Sequence, residues 1–273
     1  RHMWQLQNYM FEKKLTKYNL NKKFYIPFYL CFSEFEKSQC KTLGLNIGKF
    51  KLVGSLRLAN FLLEIKNSKI KKIYDICLIS DHGSWLDYFD KKQLDIIDQV
   101  QNGYVKLIKW TINYSIKNNL KFVFAFKRKE NTLSFFEEKS FYKKKLNDEE
   151  YNFLISNASF NTEKNYFNSY FLSFQSELTI AKTSTLLREV FVCNNKILAC
   201  NLTGSNLFDY PVDGVCALNN SSFEKFENRI SEILSLSNDS YFSEIYKPKN
   251  YLVHQNNPEV IIESIKKELI REI

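Results

Sequence analysis

Four short polar segments each follow an apolar run and carry side chains suited to protons or phosphate. Ser80, Asp81 and His82 close the run IYDICLIS at residues 73–80. An imidazole exchanges protons near neutral pH and a carboxylate can hold it in orientation, so Asp81 and His82 form a candidate acid–base pair. Lys127, Arg128 and Lys129 follow LKFVFAF at 120–126; three cations there can hold a phosphate or the carboxylate of an acidic sugar. Thr183, Ser184 and Thr185 lie in the turn after LTIA, ahead of LLREVFVC, which carries Arg188 and Glu189 in its first turn. Hydroxyls beside the free N–H groups of a helix start make a phosphate cradle. Thr203 and Gly204 follow KILACNL, and Tyr210 has a ring that can stack on a base or sugar. Each feature also has a plain structural use. Asp81 can cap a turn, the cationic run can be a solvated loop, and Tyr210 can pack like any aromatic.

These segments need a scaffold that brings them to one edge. The stretch 178–218 reads as strand, turn, helix, strand, and 73–126 repeats the pattern around a long helix. In that helix Ile96, Ile97, Val100, Tyr104, Leu107, Ile108, Thr111, Ile112 and Ile116 recur at spacings of three and four. Alternating strands and helices predict an α/β fold: a Rossmann-like parallel sheet over about 73–235, with helices on both faces. In such sheets ligands sit beyond the carboxyl ends of the strands, where all four segments fall. Residues 130–150 read as a charged helical connection and 151–157 as a strand. Residues 221 and 224 have capping-box spacing, and Asn257-Pro258 starts the last helix. Upstream, 4–22 reads as a basic helix, 24–32 as an edge strand interrupted by Pro27, 33–44 as a short helix ending at Gly44, and 51–55 as a short strand. The division expected is a basic N-terminal segment, 1–55, and a Rossmann-like nucleotide-sugar-binding domain with C-terminal helices, 56–273.

The same residues carry a resemblance. STLLREVFVCNNKILACNLTG at 184–204 and FDYPVDGVCAL at 208–218 resemble the donor-binding half of GT-B glycosyltransferases. More narrowly they are similar to bacterial surface-carbohydrate enzymes of capsule and lipopolysaccharide assembly, Kdo-transferase-like proteins among them. KFKLVGSLRL at 49–58 and IYDICLIS fit the same group, so the resemblance covers roughly residues 50–270. It implies that Thr183, Ser184, Thr185 and Glu189 hold the phosphate and ribose of a nucleotide-sugar donor, with CMP-linked Kdo as one candidate. It implies a glycan or lipid-linked acceptor, and catalysis without a bound metal or other cofactor. The N-terminal part is shorter than a full GT-B acceptor domain, so a shortened chain or a reduced variant is expected, with the boundary near 55–72. Two further classes stay open: a non-catalytic nucleotide-binding or scaffolding module, and a transferase moving a polyol phosphate from a CDP-linked donor.

Composition adds limits. The chain has 273 residues, 44% hydrophobic and 25% charged, enough for a sizeable core. Its net charge of +9 is uneven: residues 1–75 hold 15 Lys and Arg against 5 Asp and Glu, and the remainder is nearly balanced. That basic quarter points to an anionic partner such as a membrane surface or acidic glycan. No nucleic-acid-binding signature accompanies it. The six cysteines form no CxxC pair and four lie in apolar runs, which fits a reducing compartment without disulfides or zinc. Arg1-His2-Met3 reads as a cloning remnant. No run is long enough to span a bilayer, so the expected place is the cytoplasm, at most peripheral on the inner membrane face. GxGxxG, Walker A, GxSxG and HExxH are absent from the sequence, and the enzyme classes built on them lose their main support.

Overall fold

The computed structural model describes residues 25–82, 94–162, 165–255 and 257–271. The predicted basic helix at 4–22 and the stretch 83–93 after His82 lie outside the described residues. The chain divides into two compact units, Arg1–Lys69 with Lys247–Ile273, and Ile70–Tyr246.

The first unit starts with strand β1 (Tyr25–Cys31), helix α1 (Glu34–Thr42) and strand β2 (Asn46–Leu52), followed by helix α2 (Leu56–Glu64). β1 and β2 pair in parallel. Among the described residues β1 has a neighbour on one side only, an edge position that tolerates Pro27. Ser33 caps α1 by accepting from the Glu36 N–H at 3.1 Å, and the Glu36 carboxylate reaches back to the Phe32 N–H. Val53, Ala59 and Ile261 form a small core, with Leu30 and Ile265 packed against it. Ile261 and Ile265 come from the last helix, Pro258–Arg271, where Asn257 Oδ1 accepts from the Glu259 N–H at 2.8 Å in the predicted cap.

The second unit carries the predicted α/β architecture. Its elements run β3 (Tyr74–Ile79), α3 (Leu94–Lys117), β4 (Phe122–Lys129), α4 (Leu133–Lys145), α5 (Asp148–Ser156), β5 (Ala158–Asn161), α6 (Asn168–Phe174), β6 (Ser176–Ala181), α7 (Thr185–Val192), β7 (Lys196–Asn201), β8 (Ala217–Asn219), α8 (Phe223–Ser235) and α9 (Asn238–Ser243). The six strands form one sheet in the order β5-β4-β3-β6-β7-β8, every neighbour parallel. Counted from β3 this is 3-2-1-4-5-6, the Rossmann order, with its reversal between β3 and β6. The centres of the middle strands are apolar because helices flank the sheet; Ile76, Cys77 and Leu78 of β3 and Leu178 and Ile180 of β6 have no exposed area. The edge strands β5 and β8 are only 4 and 3 residues long, which limits open pairing groups. Below β8, the Tyr241 hydroxyl takes the place of a strand neighbour: it donates to Ile197 O at 2.6 Å and accepts from Ile197 N at 3.1 Å.

Three local expectations need correction. Residues 151–157 are not a strand but the body of α5. Asn147 and Glu150 close a full capping box and three acidic residues occupy the first turn, which outweighs the short apolar run. Strand β4 does not end at 126 but runs on through Lys129. The cap of α8 is Ser222, which accepts from the Lys225 N–H at 3.3 Å, and not Ser221. The long-helix stripe is buried as predicted from Val100 through Ile112, whereas Ile116 is 46% exposed.

Among the described residues no helix is long and apolar enough to cross a membrane. No three His, Cys, Asp or Glu side chains among them gather as a metal-binding set. All six cysteines are free thiols.

Candidate active site

The reversal between β3 and β6 places two predicted segments side by side. Asp81, just past β3, is buried, and its Oδ2 accepts the backbone N–H groups of Lys182 at 3.0 Å and Thr183 at 3.3 Å, just past β6. The Asp81 N–H itself donates to the Tyr104 hydroxyl of α3 at 2.9 Å. Asp81 therefore clamps the two central strand ends together. His82 is half-buried, with its ring 4.7 Å from that of Phe141 and 6.3 Å from that of Tyr142 on α4.

The exit of β4 is tied to the same place from below. Glu138 of α4 has no exposed area. Its carboxylate accepts from the Ser80 hydroxyl, from the Tyr142 hydroxyl at 3.2 Å, and from the backbone N–H groups of Lys127 at 3.4 Å and Arg128 at 3.2 Å. Tyr142 also meets Ser80 Oγ at 2.7 Å and the Tyr104 hydroxyl at 2.8 Å. Burial pushes the Glu138 carboxyl up, and these hydrogen bonds pull it back toward the charged form.

Lys182 stands where these ties meet. The residue is 4% exposed, and its Nζ lies 6.0 Å from the Tyr104 ring centroid and 5.5 Å from that of Phe208. Burial lowers the pKa of its amine; the Asp81 carboxylate opposes that shift and the Lys127 ammonium adds to it. Asp81 acts on Lys127 as well. One anionic and two cationic side chains, from the ends of β3, β4 and β6, thus share a single electrostatic neighbourhood. Lys127 and Lys129 are exposed and Arg128 is half-buried. β4 passes a register irregularity between Ala125 and Lys129, so the cations are strung along an extended segment and Lys129 stands opposite Asn161 of edge strand β5.

α7 begins at the same edge. Ser184 is its cap, accepting from the Leu186 N–H at 3.3 Å; Thr183 is buried, while Thr185 and Arg188 are half-buried. Glu189 is buried and accepts from the Tyr170 hydroxyl of α6 at 2.7 Å. The loop after β7 is knitted by Asn201, whose Oδ1 accepts from Thr203 N at 3.0 Å and Thr203 Oγ1 at 2.7 Å. Gly204 donates to Asn220 Oδ1 at 2.8 Å and holds a φ of +80°, a conformation glycine adopts without strain. Gly103 lets α3 approach this loop: a Cβ there would lie 2.7 Å from Leu202 C and O and 2.8 Å from Thr203 Cα. Tyr210 is buried, so its ring is packed in the fold and offers no open face for stacking.

Ser80, Asp81, His82, Lys127, Thr183 and Ser184 thus lie around the ends of β3, β4 and β6; Glu189 is engaged by Tyr170, and Tyr210 is buried within reach of the Arg188 charge. Sequence reading missed Lys182, Tyr104, Glu138 and Tyr142. The first had a usable signal, as the residue immediately after β6. The other three lie on helices, where nothing in the local pattern separates a network member from an ordinary core or surface position.

No family model matches the chain, and no curated protein does. Solved structures give only distant likenesses. A sucrose-phosphate synthase from Thermosynechococcus elongatus is 12% identical at a TM-score of 0.45, over 90% of this chain and 59% of the synthase. Anabaena HepE in complex with UDP and glucose is 12% identical at 0.45, over 95% of this chain and 67% of HepE. The wall teichoic acid polymerase TagF with CDPG is 13% identical at 0.36, over 88% of this chain and 56% of TagF. The chain therefore spans less than two thirds of the synthase and of TagF, and its α/β class rests on its own strand order.

Proposed function

We propose that this chain is a GT-B-type glycosyltransferase that binds a nucleotide-activated sugar at the carboxyl edge of the six-stranded sheet. The observation that carries the reading is Lys182: a buried ammonium at the strand-order reversal, beside the start of α7 and the Lys127 ammonium. In this reading Lys182, Lys127 and the first N–H groups of α7 stabilise the phosphate that leaves with the nucleotide. Thr183, Ser184 and Thr185 offer hydroxyls to it, Arg188 adds charge, and Thr203 and Gly204 form a stiff rim. His82 takes the proton of the acceptor hydroxyl. That oxygen bonds to the anomeric carbon, and the carbon–oxygen bond to phosphate breaks with its electron pair leaving on the nucleotide. Asp81 positions: its carboxylate holds the backbone of residues 182 and 183 and faces the two lysines. Arg128 and Lys129 suit an acidic sugar, for which CMP-linked Kdo is the candidate donor. The acceptor would be a surface glycan or lipid-linked intermediate at the inner membrane face.

Titration calorimetry with CMP, UDP, GDP and CDP-glycerol, followed by turnover with product identification, tests this. Binding of one nucleotide family with sugar transfer is expected. Binding without turnover indicates a non-catalytic module. A phosphate-linked polyol product indicates the polyol-phosphate transferase. A chain that binds none of the four refutes the reading.

A further inference from the structure

We propose that Glu138 is a positioning residue that fixes the Lys127 ammonium at working distance from the Asp81–Lys182 pair, and thereby sets how strongly the site holds phosphate. The inference rests on the functional reading above. Its basis is where the four donors on one carboxylate come from. Two are the backbone N–H groups of Lys127 and Arg128, at the end of β4. One is the Ser80 hydroxyl, at the end of β3 and one residue before Asp81. The fourth is Tyr142, whose hydroxyl leads through Tyr104 to the Asp81 N–H. Every bond therefore ends on, or one step from, a residue that faces the proposed phosphate. A fully buried carboxylate is costly unless its acceptor capacity is filled. An apolar residue in the same place would fill the core without that cost, but it could not hold two strand exits in fixed register. Among the described residues no lysine or arginine side chain hydrogen-bonds Glu138; besides its charge, which acts on Lys127, it holds the β4 exit through two backbone N–H groups.

The test compares a nucleoside with its monophosphate, cytidine against CMP or the pair whose base the protein prefers, in wild type and in Glu138→Gln. Glutamine has the same shape but turns an amide N–H₂ toward at least one of the donors. The gain in affinity that the phosphate confers should fall about tenfold in the variant, as for one charged contact misplaced. Nucleoside affinity should stay within about twofold. Lys127→Met should remove most of this effect: the loss on adding Glu138→Gln should be much smaller in that background, because contacting or linked residues do not add. Ser80→Ala, which removes a single donor, should give a smaller loss of the same phosphate-selective kind and serves if Glu138→Gln does not fold. Equal loss of nucleoside and nucleotide binding, or an unchanged ratio in folded Glu138→Gln and Ser80→Ala, overturns the inference. If wild type binds no nucleoside monophosphate, the functional reading fails, and this inference with it.

Discussion

Lys182→Met separates function from stability in opposite directions. Methionine keeps an unbranched stem of similar length and loses only the charge. If Lys182 contacts the donor phosphate, the variant loses an ammonium–phosphate hydrogen bond contributing roughly 1.5–3 kcal/mol. Nucleotide Kd should then rise roughly 10- to 150-fold. The fold should respond the other way. The Lys182 pKa is lowered, so burial, with the Lys127 ammonium, outweighs the attraction of Asp81, and the charged form is the disfavoured one in the folded state. That penalty is complete below the folded pKa and vanishes above the ordinary lysine value of 10.5, where the amine is neutral folded or unfolded. Lys182→Met should therefore melt higher than wild type at pH 7, and the gap should close as pH rises toward that value. Calorimetric titration with the preferred nucleotide and thermal melts at pH 7 and pH 9.5 give both readouts. A variant with wild-type affinity refutes the phosphate contact. A variant that melts lower at pH 7 would show that losing the countercharge of Asp81 outweighs the relief of burial, and the electrostatic ordering would be wrong.

Two other outcomes follow from the same geometry. His82→Ala should lower kcat by about 10²-fold or more with nucleotide affinity little changed, as for lost proton transfer; full turnover would move the base to another residue. Gly103→Ala should cost roughly 1–3 kcal/mol and lower the melting temperature, because its Cβ meets the backbone at Leu202 and Thr203, and overpacking against backbone is not relieved by a rotamer change. A neutral substitution there would mean that α3 and the β7 exit slide apart easily.

What the sequence determined by itself was local and periodic. A run such as IYDICLIS is apolar at nearly every position because both faces of a central strand are covered, so β3, β6 and β7 were readable as strands, and the three-and-four spacing of α3 was readable as one helix. Their alternation implied a parallel sheet, and a parallel sheet has one carboxyl edge, which is why Asp81, His82, Lys127 and Thr183 could be named as candidates before any geometry was known. Local competition misled it where two signals overlapped, as in α5, whose cap and first-turn acids outweigh an apolar run. Only the tertiary structure decided which strand ends are neighbours. The crossover from β5 to β6 sets β6 against β3, and that adjacency lets the Asp81 carboxylate accept from the backbone of residues 182 and 183. Tertiary packing also buries Tyr210 and brings the Tyr170 hydroxyl to Glu189, surroundings that no spacing in the sequence reveals. Glu138 and Lys182 became legible last, for the same physical reason. What a buried charge does depends on the donors and charges around it, and those arrive from segments far apart in the chain.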